Sequence, residues 1–116
     1  ALAETEDRLI LPVPAENSRP SWFGFLITCK EGTDRNKLVQ NIESKGIQTR
    51  MLFAGNLIKH PCFDEMRSEK KGYRVVGTLE NTDRIMSDTF WVGVYPGMTD
   101  EKIDYMAKVI KEGLLQ

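Results

Sequence analysis

Apolar residues in this chain recur at two spacings, every second residue and every third or fourth, and the change from one to the other lays out the elements. Residues 22–29 alternate as a strand, with Phe23, Phe25, Ile27 and Cys29 on one face and Trp22, Gly24, Leu26 and Thr28 on the other. Both faces are largely apolar, which predicts a central strand. Leu38, Val39 and Ile42 then recur at helical spacing behind Thr33 and Asp34, whose side-chain oxygens suit the free amides of a first turn. A helix is predicted to run to Lys45 and to end at Gly46. Residues 47–51 and 90–95 read as two more strands. Residues 8–12 read as an edge strand, because Pro12 has no amide to give to a ladder. Asn81 is expected to cap a short helix from Thr82 to Asp88. Thr99 is expected to cap the last helix, where Asp100 and Glu101 meet the positive end of its dipole and Ile103, Met106, Ala107, Ile110 and Leu114 form the buried stripe. Residues 57–66 suggest a short helical turn, and residues 67–77 an exposed, charged loop.

The fold class predicted from this order is α/β (α+β), a small mixed or antiparallel sheet with helices packed on one face. Phe23, Phe25, Val92 and Val94 are expected in its core, with Ile103, Met106 and Ile110 lying across them. The length of 116 residues supports one hydrophobic core, so residues 1–116 are read as a single domain, with 1–20 as a lead-in and connector and 21–116 as the sheet–helix core. The chain opens on Ala1 inside a helix-like tail, and it reads as a C-terminal piece of a longer protein.

Composition narrows the function classes. A hydrophobic fraction of 41% with 28% charged residues is that of a globular protein, and no apolar run is long enough to span a bilayer. With a net charge of −1 the overall field does not favour nucleic acid; the cluster Lys59, His60, Arg67, Lys70 and Lys71 is the local exception. Cys29 and Cys62 are too few for a disulfide framework and stand in no metal-binding spacing, so reduced thiols in a cytoplasmic protein are expected. No basic stretch leads into an apolar one, and no secretion signal is expected.

Candidate chemistry concentrates in residues 49–61. Arg50 carries a permanent charge on a planar donor fork, Phe53 offers a flat ring, and Asn56 both donates and accepts beside Gly55, where a ligand can approach the backbone. A strand running into a surface turn, with Arg50 solvated and Gly55-Asn56 serving turn geometry, accounts for the same residues without a ligand. Elsewhere the signals are weak. His60 is the sole histidine and sits between Lys59 and Pro61, a turn setting rather than that of a held base. Cys62 is read as a small buried hydrophobe. Gly93 and Gly97 do not form a phosphate loop, and the carboxylates lack metal or paired spacing. Glycine between aromatics in Trp22-Phe-Gly-Phe also occurs in base-stacking sheets, but without flanking basic residues it reads as core.

Three successions carry a resemblance: Ser21-Trp-Phe-Gly-Phe; Gly46-Ile-Gln-Thr-Arg-Met-Leu-Phe-Ala-Gly-Asn-Leu; and Asn81-Thr-Asp-Arg-Ile-Met-Ser-Asp-Thr-Phe-Trp-Val-Gly-Val-Tyr-Pro-Gly-Met-Thr. Over nearly its whole length the chain resembles the C-terminal small domain of DegT-like sugar dehydrases and aminotransferases, of fold type I among pyridoxal-phosphate enzymes. The Arg-x-x-x-Ala-Gly-Asn form resembles the 3-dehydrase branch, which removes a hydroxyl from a nucleotide-linked 4-keto-6-deoxyhexose, and within that branch the chain is most similar to the CDP-linked 3-dehydrases of lipopolysaccharide O-antigen synthesis. That resemblance implies pyridoxamine 5'-phosphate or pyridoxal 5'-phosphate as cofactor, a homodimer, and in the CDP branch a [2Fe-2S] cluster and a reductase partner. It places the cofactor-holding histidine and the cluster cysteines in a larger domain, so that neither Cys29 nor Cys62 is a cluster ligand and this chain alone is inactive. Arg50, Phe53, Gly55 and Asn56 would form the wall that the small domain presents to cofactor and nucleotide sugar. A DegT-like sugar aminotransferase domain and a free-standing α/β binding module are the alternatives. Exposure of Phe23 and Phe25 would favour the module; their burial under helices would favour the enzyme domain. Arg50 and Asn56 are expected to matter to activity and little to folding, unless Arg50 is buried against a carboxylate such as Asp88.

Overall fold

The computed structural model, which describes residues 1–115, places four strands in one antiparallel sheet: β1 (Leu9–Ile10), β2 (Gly24–Cys29), β3 (Thr49–Met51) and β4 (Thr89–Gly93). Their spatial order is β1-β2-β4-β3, so β2 is central, as its two apolar faces predict. Four helices, α1 (Arg35–Ser44), α2 (Asp64–Glu69), α3 (Glu80–Asp88) and α4 (Asp100–Leu114), complete the fold with short 3-10 turns at Ala3–Thr5, Leu57–Lys59 and Pro61–Phe63.

Register decides which residues share a face. Phe25 pairs with Val92 and Ile27 with Phe90, and this face meets α1 and α4 in a core that includes Leu9, Ile27, Ile42, Phe90, Val92 and Ile110. Burying each large apolar side chain contributes roughly 1.5–3 kcal/mol before the entropy of ordering it is subtracted. Local signals start both helices where expected. Asp34 accepts from the amides of Asn36 (2.9 Å) and Lys37 (3.1 Å), and Thr99 Oγ1 accepts from Lys102 at 3.4 Å. Arg8 binds the ends of the two helices together, donating to Thr33 Oγ1 (2.9 Å) and to the Leu114 carbonyl (3.1 Å). On the opposite face Leu26 pairs with Trp91 and Thr28 with Thr89, whose hydroxyls lie 2.8 Å apart.

Several expectations are corrected. Phe23 is 79% exposed, Val94 40% and Ile103 41%. Phe23 and Val94 lie one residue outside β2 and β4, where pairing no longer holds the alternation, and Ile103 lies in the first turn of α4. Val109 takes a buried position that the predicted stripe omitted. α3 begins at Glu80 rather than Thr82, after Leu79 in a left-handed conformation, so Asn81 is inside the helix and caps nothing. Among the described residues no helix is long and apolar enough to cross a membrane.

Candidate functional site

The sheet ends in a turn where β3 gives way to residues 52–56. Arg50 stands opposite Trp91 on the face away from α1 and α4, and its side chain is exposed. Its Nη1 donates to the Thr49 carbonyl (2.8 Å), and no carboxylate bridges to it among the described residues, Asp88 included. Trp91 lies flat over Gly24, where a β-carbon would come within 2.2 Å of its ring, and its centroid is 5.4 Å from that of Phe23. Arg50, Trp91 and the exposed Phe23 thus continue one another along a single surface. The module criterion splits, since Phe23 is exposed and Phe25 half-buried.

Phe53 is 79% exposed and has φ +42°, a left-handed backbone that costs a residue with a β-carbon about 1–2 kcal/mol. An exposed ring recovers none of that through burial, so its neighbours must impose the conformation. The Gly55 amide donates to the Leu52 carbonyl at 3.2 Å, closing the turn. Gly55 itself has φ +60°, and a β-carbon there would fall 2.5 Å from Met86 Cγ. The close approach at this glycine is therefore made by a side chain of α3.

Asn56 differs from the exposed wall residue expected of it. It is 3% exposed; its Nδ2 donates to Asp83 Oδ1 at 2.7 Å, and its amide faces Met86 Sδ at 3.4 Å. Its side chain serves folding, because a buried amide left without partners costs stability. Asp83 Oδ1 also receives Lys59 Nζ at 2.8 Å. Lys59 first, then Asn56, hold the Asp83 carboxyl below its usual range. His60 adds a ring-nitrogen contact to the Ala54 carbonyl, and Arg67 donates to the carbonyls of Ile58 and His60 (2.9 Å for the latter), so part of the basic cluster is occupied internally. Cys62 is exposed rather than buried, in the 3-10 turn that precedes α2. Cys29 is buried, and desolvation before all else pushes its thiol up to about 11.

The structure thus brings Arg50 and Phe53 to the surface and turns Gly55 and Asn56 inward onto α3. Sequence reasoning missed Asp83, Met86 and Trp91. Asp83 and Met86 are three apart on α3 and so share a face, a readable signal, but their partners lie 27 and 30 residues away in sequence.

Comparison with known proteins gives these residues a context. The model of the DegT/DnrJ/EryC1/StrS aminotransferase family matches residues 1–111. The lipopolysaccharide biosynthesis protein RfbH of Salmonella typhimurium is 52% identical over 106 residues, 90% of this chain and 23% of its own length. A dTDP-4-dehydro-2,6-dideoxy-D-glucose 3-dehydratase of Saccharopolyspora spinosa is 48% identical over 90% of this chain and 22% of its own. Among solved structures, the E. coli GDP-4-keto-6-deoxy-D-mannose-3-dehydratase with bound hydrated PLP superposes with a TM-score of 0.72 at 27% identity, covering 92% of this chain and 26% of that one. The chain spans about a quarter of the length of these relatives.

Proposed function

Because the chain belongs to the DegT/DnrJ/EryC1/StrS aminotransferase family, we propose that it is the small domain of a nucleotide-sugar 3-dehydrase that removes the C3 hydroxyl of a CDP-4-keto-6-deoxyhexose in lipopolysaccharide O-antigen synthesis. The observation that carries the reading is an exposed cation, Arg50 in β3, followed three residues later by an exposed ring, Phe53, on a strained and clamped turn. The names of the relatives supply the reaction class.

The groups on the turn fit such a ligand. Arg50 spends one donor on the Thr49 carbonyl and keeps the rest of its fork free for phosphate or sugar oxygens, where each charge-assisted hydrogen bond is worth roughly 1.5–3 kcal/mol. Phe53 offers an apolar face to a sugar or pyridine ring, while Gly55 and Asn56 form the inner side of the same wall and hold it in place. Pyridoxamine or pyridoxal phosphate, bound mainly by the rest of the polypeptide, supplies the electron sink that lets hydroxide leave. Arg50 orients, Phe53 covers, and neither moves a proton. The chain alone should bind neither form of the cofactor usefully; a micromolar complex in an absorbance titration, about 8 kcal/mol of binding, would contradict this. The same reading assigns a [2Fe-2S] cluster and the contact with a reductase to the remainder of a cytoplasmic homodimer; the burial of Cys29, whose thiol is pushed up by desolvation, makes that residue a poor thiolate ligand.

The test is product analysis. The full-length protein, loaded with pyridoxamine phosphate and supplied with its reductase partner and a reduced nicotinamide as the two-electron donor, is offered the CDP-, dTDP- and GDP-linked 4-keto-6-deoxyhexoses, and the products are read by mass and NMR. Replacement of the C3 hydroxyl by hydrogen, fastest with the CDP sugar, is expected. Amination at C4 would establish the aminotransferase alternative, and no conversion of any of the three would retire the dehydrase reading.

A further inference from the structure

Asp83 contributes no donor to a ligand and bears a negative charge that a nucleotide diphosphate would avoid, yet two of the contacts that hold the candidate turn, those of Asn56 and Lys59, meet on it. We infer that Asp83 is the positioning residue of this site: one carboxylate oxygen grips Asn56 and Lys59 together and thereby sets where the Phe53 ring stands. The inference rests on the reading of Arg50 and Phe53 as the wall that faces substrate.

The geometry is specific. Asp83 Oδ1 lies 2.7 Å from Asn56 Nδ2 and 2.8 Å from Lys59 Nζ, so a single atom ties the last residue of the turn to the 3-10 turn that follows it. One helical turn further on, Met86 fills the space beside Gly55 and faces the Asn56 amide. α3 therefore grips the chain at two consecutive positions, 55 and 56, two residues beyond Phe53. Phe53 has a positive φ and an exposed ring, so its conformation is imposed from these anchor points. Releasing Asn56 frees the turn to relax toward ordinary backbone angles and carries the ring away from its place. α3 also leads directly into β4, whose Trp91 stands opposite Arg50, so the same helix sets both halves of the wall.

A double-mutant cycle in the full-length, cofactor-loaded enzyme, turning over with its reductase partner and a reduced nicotinamide as electron donor, tests this, with CDP-4-keto-6-deoxyglucose as the probe. F53A and D83A should each lower kcat/KM about tenfold, mainly through KM, and the double variant should fall no more than about twofold below F53A alone, because Asp83 acts through the ring. D83N keeps an acceptor for Asn56 and should recover to within about threefold of the parent. Independently of activity, hydrogen exchange at the Gly55 amide should quicken at least about tenfold in D83A while Val92 in β4 stays protected. Effects that multiply in the double variant would overturn the inference, as would D83A at parental kcat/KM beside an impaired F53A. F53A at parental kcat/KM would instead overturn the wall reading, and the inference with it. If D83A does not fold, N56A cuts the same tie from the other side and takes its place in the cycle with the same outcomes.

Discussion

On the helix-covered face of the sheet, Ile27, Phe90 and Val92 are exposed by 3% or less; in the turn that follows β3, Phe53 stands 79% exposed with a strained backbone. The first region is held by area. Many side chains from α1 and α4 share the load, and the register of β2 against β4 follows from the alternation of their buried residues. The second region is held by points, namely the Asn56–Asp83 bond, the Met86–Gly55 contact and the Lys59–Asp83 pair. A turn held by points can keep a ring in a conformation it would not otherwise adopt, which folding alone does not require.

The contrast fails if the two regions respond alike to substitution. Ile110, 1% exposed in the core, should be the most costly: Ile110→Ala is expected to lose roughly 2–5 kcal/mol in denaturant melts. A loss below about 1 kcal/mol would mean that α4 does not bear on the sheet as described. Asn56→Ala should cost less, about 1–3 kcal/mol, because it removes a buried amide and its bond to a carboxylate. A change within about 0.5 kcal/mol would return Asn56 to the exposed wall.

The acid limb of the stability curve sharpens the same point. Asp83 has a depressed carboxyl in the folded state, so the ionised form is favoured by folding. Its contribution is fully present above the unfolded carboxylate range and is lost as pH falls through the lower, folded value. Melting temperatures of the parent and of Asp83→Asn should therefore converge on acidification. A gap that does not change with pH would show that the Lys59–Asp83 pair carries no linked protonation. The smallest effect is expected at Arg50, where exposure and a lone bond to Thr49 limit the stability cost of Arg50→Ala to about 0.5–1 kcal/mol.

Legibility follows the same division. Asp34, Ile42, Ile27 and Ile110 are readable because caps and periodicity are local, and the central place of β2 follows from them, whereas the choice between a mixed and an antiparallel sheet depends on strand order, which is not local. Phe23 and Val94 are misplaced because a pattern extends past the point where strand pairing stops enforcing it, and Ile103 because the first turn of α4 carries the helical spacing without being covered. Leu79 was unreadable as the start of α3, since a left-handed leucine obeys no capping preference. At the site, Arg50 and Phe53 stood out as residues with no packing purpose, whereas Asn56 looked the same on paper and proved to be an anchor. What separates them is Asp83, 27 residues downstream, a contact no local rule supplies.

The central claim is that Arg50 belongs to function and not to folding. It is tested most directly by Arg50→Ala in the full-length enzyme, with kcat/KM and the melting midpoint measured on the same preparation. The account predicts a loss of at least about tenfold in kcat/KM, 1.4 kcal/mol in the barrier, with an almost unmoved midpoint. Parental turnover per folded molecule together with a loss of several kcal/mol in stability would contradict it and leave the turn a structural one.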